Sequence, residues 1–174
     1  QFNPVYNWMQ IPSGTVSNLN YSNATYICGN NGVMLKTTSS GITWQPVTTG
    51  SSGSLKSVQF YISTVIAIGE AGLILKSTNE GLSWNSIPGG TPNNLNSLLR
   101  IGSAQYIVAG DGGTILRTTN SGDNWSVVAS GTSVNLKSIA GATNIIAVGN
   151  NGIILKSAYP GTSWNQVPSG TTQN

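Results

Sequence analysis

Four tryptophans, Trp44, Trp84, Trp125 and Trp164, stand 40, 41 and 39 residues apart, each three residues after a glycine at Gly41, Gly81, Gly122 or Gly161. A period of that size, held four times, constrains the chain more than any single motif. One such unit cannot bury its own apolar face and must stack on copies of itself. Within each unit a glycine-bounded turn recurs, at Gly29 to Gly32, Gly69 to Gly72, Gly110 to Gly113 and Gly149 to Gly152. Turn residues of this kind tolerate positive φ and join antiparallel strands tightly. A short apolar run ending in a base follows every turn, closing on Lys36, Lys76, Arg117 and Lys156, while Leu19, Leu55, Leu95 and Leu136 mark an earlier strand. Each unit therefore reads as four short strands: a around the leucine, b into the turn, c up to the base and d from the tryptophan. Four strands in a period of about 40 to 45 residues, with no stretch of helical periodicity, predict an all-β fold, a β-propeller of four four-stranded blades.

Between strands c and d the units follow the pattern Ser/Thr-x-Asp/Asn-x-Gly-x-Ser/Thr-Trp, from Thr37 to Trp44, Ser77 to Trp84, Thr118 to Trp125 and Ser157 to Trp164. This resembles the Asp-box, or bacterial neuraminidase repeat, and the phrasing of the whole unit is similar to that of photosystem II stability and assembly factor-like propellers. Asn79 and Asn120 hold the acidic position, whereas Ser39 and Tyr159 depart from it, which puts the side-chain brace of the turn in question in those two blades. The resemblance covers nearly the whole chain. It implies a fold rather than a function, because the box serves enzymes, lectins, receptors and assembly factors alike. Gly41, Trp44, Gly81, Trp84, Gly122, Trp125, Gly161 and Trp164 are accordingly expected to be structural. A buried tryptophan removes about 150 to 250 Å² from water, worth about 4 to 6 kcal/mol, so four of them would cement four blades.

The strand count leaves a remainder. Asn7 to Thr15 matches strand d, yet a full d strand also closes the fourth unit at Trp164. Seventeen strands are thus predicted where four blades need sixteen. The expected division is an N-terminal arm with an extra strand over residues 1–15 and a single four-repeat propeller domain over 16–174. Such an arm would pair with an exposed sheet edge of its own last blade or of a neighbouring copy, and pairing between copies would run head-to-tail into rings or filaments. An excised piece of a longer propeller accounts for the remainder equally well. Four repeats closing alone and eight shared between two chains both stay open.

Only 6% of the 174 residues are charged, against about 25% in an average soluble protein. The surface is therefore built from Asn, Ser, Thr, Gln and Gly, which stay wet without charge and repel other copies weakly. The net charge of +3 comes from seven scattered bases, with no stripe to track a phosphate backbone and no polybasic patch. No run approaches the roughly 18 apolar residues that cross a bilayer. Nucleic acid and a membrane span are both excluded on these grounds. A first residue Gln1 rather than Met, with sequons at Asn20, Asn23 and Asn124, leans towards a processed, exported glycoprotein, extracellular or at the cell surface. Cys28 has no second cysteine to pair with and stands where the other units have Ile68, Ala109 and Val148, so it reads as core.

Histidine is absent, which removes His-based triads and His metal sites. The carboxylates are Glu70, Glu80, Asp111 and Asp123, and the two arginines, Arg100 and Arg117, fall in different parts of the repeat. A sialidase would need an arginine cluster with a Tyr/Glu pair, and a glycosidase two facing acids. Neither is legible, no cofactor is implied, and the chain is not expected to be an enzyme. Two rings are candidate binding sites. Asn30, Glu70, Asp111 and Asn150 share one turn position and would offer oxygens to a cation or a sugar, although turn tips prefer such residues anyway. Lys36, Lys76, Arg117 and Lys156 would suit an anion, although solvated bases at strand ends also discourage edge pairing. The expectation is a non-catalytic extracellular structural subunit that self-assembles through its arm and its neutral surface. The alternative is a carbohydrate- or protein-binding propeller module, a lectin, adhesin or assembly factor.

Overall fold

A computed structural model describes residues 9–172. Among them, sixteen strands form four four-stranded sheets, each pairing antiparallel in sequence order. Blade 1 holds β1 (Leu19–Ser22), β2 (Tyr26–Gly29), β3 (Met34–Lys36) and β4 (Gln45–Pro46), and blade 2 holds β5 (Leu55–Tyr61), β6 (Thr64–Gly69), β7 (Ile74–Ser77) and β8 (Asn85–Ser86). Blade 3 holds β9 (Leu95–Arg100), β10 (Tyr106–Gly110), β11 (Ile115–Thr118) and β12 (Ser126–Val127), and blade 4 holds β13 (Leu136–Gly141), β14 (Asn144–Gly149), β15 (Ile154–Ala158) and β16 (Asn165–Val167). These are strands a to d of the repeat. The predicted extra strand is not seen: residues 9–18 carry no strand, and residues 1–8 of the expected arm lie outside the described residues.

Each b strand enters its c strand through a single 3-10 turn, as at Glu70–Gly72 in blade 2. Ala71 there has φ 52 and Gly72 φ 70, and a Cβ on Gly72 would run into the Thr91 carbonyl oxygen. Glycine is required both by the left-handed backbone and by the close approach. Because successive strands are antiparallel, the a–b hairpins and the Asp-box turns open at one end of every blade. The 3-10 turns and the links from one blade to the next lie at the other. We call these ends the box face and the turn face.

Period-2 alternation gives each sheet two apolar sides, and these meet blade to blade. Tyr26, Cys28 and Met34 of blade 1 pack on Leu55, Val58, Val65, Ala67 and Leu75 of blade 2. The same positions repeat as Ile66, Ile68 and Ile74 against Leu95, Leu98, Tyr106, Val108 and Leu116, and as Ile107, Ala109 and Ile115 against Leu136, Ile139, Ile145, Ala147 and Leu155. Fully burying an aliphatic side chain contributes about 1.5 to 3 kcal/mol. The stabilising contacts therefore sit in three joints between four blades, and among the described residues no apolar cluster joins blade 4 to blade 1. The tryptophans contribute less than expected. Only Trp164 is buried, while Trp44, Trp84 and Trp125 are half-buried beside their box glycines.

Candidate functional site

The turn face carries the predicted ring of Asn30, Glu70, Asp111 and Asn150, one residue opening each 3-10 turn. Every a strand has a β-bulge immediately after its leucine, so that Asn20, Lys56, Asn96 and Lys137 are extra residues. A bulge re-aims the side chain it carries. Asn20 donates through Nδ2 to Asn30 Oδ1 and to the Leu55 carbonyl of blade 2, both at 2.8 Å. Asn96 likewise donates to Asp111 Oδ1 at 2.8 Å and to the Leu136 carbonyl of blade 4 at 2.7 Å. Lys56 Nζ lies 4.0 Å from Glu70 and donates to Asn96 Oδ1, and Lys137 Nζ lies 3.4 Å from Asp111. A polar chain thus runs Glu70, Lys56, Asn96, Asp111, Lys137 across three blades. Burial works against ionising Asp111, but donation from Asn96 and Asn94 and the charge of Lys137 outweigh it and hold the carboxyl below its ordinary range. The ring shares one face as expected, and Asn30, Glu70 and Asp111 are each met by a side chain of this same protein.

The second ring departs from its expectation as solvated strand ends. Lys36 Nζ is 3.1 Å from both the carbonyl and Oε2 of Glu80, Lys76 meets the carboxylate of Asp123, and Arg117 donates from Nε to the Pro160 carbonyl at 2.9 Å. Each base crosses a joint to the Asp-box turn of the next blade. Burial disfavours the Lys36 charge, yet its hydrogen bonds to Glu80 and Tyr26 keep its pKa above the ordinary value. Lys156 is exposed and has no such acceptor among the described residues.

The box turns explain why these acceptors are well placed. Thr37, Ser77 and Thr118 accept from the backbone N–H of Gly41, Gly81 and Gly122. Asn79 and Asn120 accept from Ser83 and Asn124, and Ser39 does the same work through its hydroxyl, 2.8 Å from Thr43 N. The departure at Ser39 is therefore harmless. In blade 4 the brace is replaced: Gly161 N–H donates to the Ala158 carbonyl, and the Tyr159 hydroxyl accepts from Gln105 of blade 3.

All four carboxylates pair with different lysines. The turn face, with Lys56, Lys137, Glu70 and Asp111, is neutral. The box face carries Lys36, Lys76, Arg100, Arg117 and Lys156 against Glu80 and Asp123, which is the whole surplus of three positive charges. Arg100 stacks its guanidinium 4.1 Å from the Tyr61 ring centroid and donates to the Gly102 carbonyl. Ile42 and Leu82, one residue past the box glycines, and Ile62, in an a–b hairpin, are more than two-thirds exposed on this same face. Sequence reasoning did not single these out. The available signal was an aliphatic residue at a turn tip, where Asp123 and Thr162 stand in the other blades.

Of the sequons, Asn20 and Asn23 spend their amide nitrogens on carbonyls of blade 2, Leu55 and Val58, whereas Asn124 is exposed at the rim of a groove between blades 3 and 4. Cys28 is fully buried, and desolvation pushes its thiol up to about 12, as a core residue requires. The described residues hold no group of three or more potential metal ligands, and no helix is long and apolar enough to cross a membrane.

Three comparisons bear on this architecture. No curated protein sequence matches the chain. Among solved structures, YCF48 bound to D1 peptide superposes with a TM-score of 0.73 at 23% identity, over 94% of this chain and 57% of that one. YCF48 from Cyanidioschyzon merolae gives 0.72 at 22% identity, over 91% and 59%, and the Niastella koreensis GH74 enzyme gives 0.69 at 16% identity, over 84% and 28%. The chain spans less than two thirds of the length of those YCF48 structures, and identities this low establish the fold alone. The sequence profile of the family described as Photosynthesis system II assembly factor YCF48 matches residues 8–173, so the chain belongs to that family.

Proposed function

We propose that this chain is a non-catalytic binding module that holds an acidic, apolar-containing segment of a partner protein on its box face, as an assembly factor would. The observation that carries the reading is the charge distribution: the entire surplus of three positive charges lies on the face that also exposes Ile42, Ile62 and Leu82. A patch that mixes aliphatic tips with uncompensated bases, Arg100 above all, suits a peptide better than a sugar or a metal. The family supports a partner-binding role, and one structurally similar relative is a complex with a peptide. An extracellular building block, the other expectation from the sequence, gains no support from the family.

A peptide array graded in net charge and aliphatic content tests the reading. Binding is expected to follow negative charge, to weaken with salt, and to fall at least about tenfold in Arg100→Glu and Leu82→Ser. Arg100→Glu and wild type binding the same peptides equally, or binding lost instead in Lys137→Glu on the turn face, would overturn it.

A further inference from the structure

Strand d is the outer edge of each sheet, and in three of the four blades a proline blocks that edge. In β12 the Val128 N–H donates to the Ile115 carbonyl of β11, and Val127 stands opposite Leu116. Alternation along an antiparallel ladder then turns the N–H and C=O groups of Val127 and Ala129 away from β11, out of the sheet. The other blades keep this register, with Pro46, Ser86 and Gln166 opposite Leu35, Leu75 and Leu155. Two residues further on stand Thr48, Pro88 and Pro168. Each of those blades thus has a proline at one of its two outward amide positions, and proline has no N–H to offer a further strand. Blade 3 keeps both donors on a stretch, Ser126 to Ala129, that carries no charge.

Two grooves meet along this edge. One, lined by Arg117 and Asn124, opens towards the box face, the other, lined by Gly112 and Thr132, towards the turn face, and they share Val127, Val128 and Ala129. Val127 is 68% exposed between them. Arg117 is the only charged residue lining either groove, and its acceptors among the described residues, the Pro160 carbonyl and Gln105 Oε1, are uncharged. All four carboxylates of the chain are already held by lysines, so a second copy brings no free acid to that guanidinium. Further blades would not cover the edge either. Blades meet chiefly through their a and b strands, as β5 meets β9 and β9 meets β13, and β12 lies at the opposite edge of its sheet from β9.

We propose that blade 3 takes up an extended segment of a partner protein as an added strand on β12. Main-chain bonds to Val127 and Ala129 hold it, a β-branched side chain of the segment covers Val127, and a carboxylate at its box-face end meets Arg117. In this mode of recognition main-chain bonds supply affinity and alternate side chains supply specificity. The site goes beyond the box-face patch and does not rest on it, since Arg100 belongs to β9, at the other edge of the sheet.

The probe is a short capped peptide of alternating Val and Thr with an Asp at each end, titrated from about 10 µM to about 1 mM, where weak contacts saturate. Amide resonances of the nitrogen-15-labelled chain read the site. The expected result is that the Val127 and Ala129 amides move with the peptide. Ala129→Pro copies the residue that blades 2 and 4 hold at that position, so it is expected to keep the fold and to lose affinity at least about tenfold. The same peptide N-methylated along its backbone should fail to bind the unaltered chain, and Asn in place of Asp should weaken binding. No binding by the unaltered chain, or equal binding by Ala129→Pro or by the methylated peptide, would overturn strand addition, and equal binding of the Asn peptide would overturn the role of Arg117. Amides at Val127 and Ala129 that shift with the concentration of the chain alone would assign the edge to a second copy instead. Binding lost in Arg100→Glu but kept in Ala129→Pro would place the peptide on the box face and overturn this site while leaving that patch standing.

Discussion

Lys76 crosses from blade 2 to the carboxylate of Asp123 in blade 3, and does so from a position where the lysine is only 6% exposed. An ammonium held that deeply depends on its acceptor. Asp123→Ala is expected to lower stability by about 1.5 to 3 kcal/mol, towards the lower figure because Asp123 itself faces water. The equivalent truncation in the joint before it, Glu80→Ala, removes only the carboxylate from the better solvated Lys36, leaves it the carbonyl of residue 80, and should cost less than about 1 kcal/mol. Urea unfolding of the two variants measures the difference, and equal losses would mean that the burial of Lys76 carries no weight.

Gly69 and Gly131 separate two reasons for a glycine. Gly69 has an extended backbone, but a Cβ there would run into the Ser54 carbonyl, which leads directly into strand β5. Gly131 has φ 76 with nothing within 4 Å of a Cβ. Gly69→Ala is expected to cost about 3 kcal/mol or to prevent folding, because backbone must move. Gly131→Ala carries only left-handed strain, about 1 to 2 kcal/mol. Thermal melts that rank them the other way would refute the close-approach account.

The repeat, the strand order and the turn positions were legible because glycine and tryptophan mark them at fixed spacing, and backbone conformation is a local property. The base ring was visible as a pattern and its role was not. Its acceptors lie more than forty residues away and are chemically different in each joint: a carboxylate with a carbonyl at Glu80, a carboxylate at Asp123, a bare carbonyl at Pro160. The bulges could have been found. Leu55 and Val58, Leu95 and Leu98, and Leu136 and Ile139 are buried on one side of a strand at a spacing of three, which a period of two forbids unless one residue is extra. The extra residue in each case is the one that ties the turn-face ring together.

Asn96 bridges Asp111 and the Leu136 carbonyl, and losing both bonds in Asn96→Ala is expected to remove about 1 to 3 kcal/mol. Asn124→Ala, at an exposed position whose amide makes no such crossing, should stay within about 0.5 kcal/mol of wild type. Denaturant midpoints on the pair decide whether the bulge residues or the box-turn residues hold the blades in register.

Cys28 makes stability fall with alkaline pH in a way that its replacement abolishes. Burial raises the folded-state thiol from an ordinary value of 9.0 to about 12. A group whose folded pKa is raised contributes stability that is complete below the unfolded value and is lost as pH climbs towards the folded one. Between those limits the unfolded chain sheds a proton that the folded chain keeps, so the loss approaches about 1.4 kcal/mol per pH unit and amounts to about 1.4 kcal/mol by pH 10. Buried Tyr26 and Tyr106, also raised by desolvation, add to the loss only above about pH 10. Cys28→Ala, the residue found at the same position in blade 3 as Ala109, should be flatter from pH 7 to 10 than wild type, whatever its stability at neutral pH. With a single cysteine the curve cannot be complicated by disulfide exchange within the chain. If wild type and Cys28→Ala declined in parallel, the thiol would have to be reachable by water, and the joint between blades 1 and 2 would be looser than its packing describes.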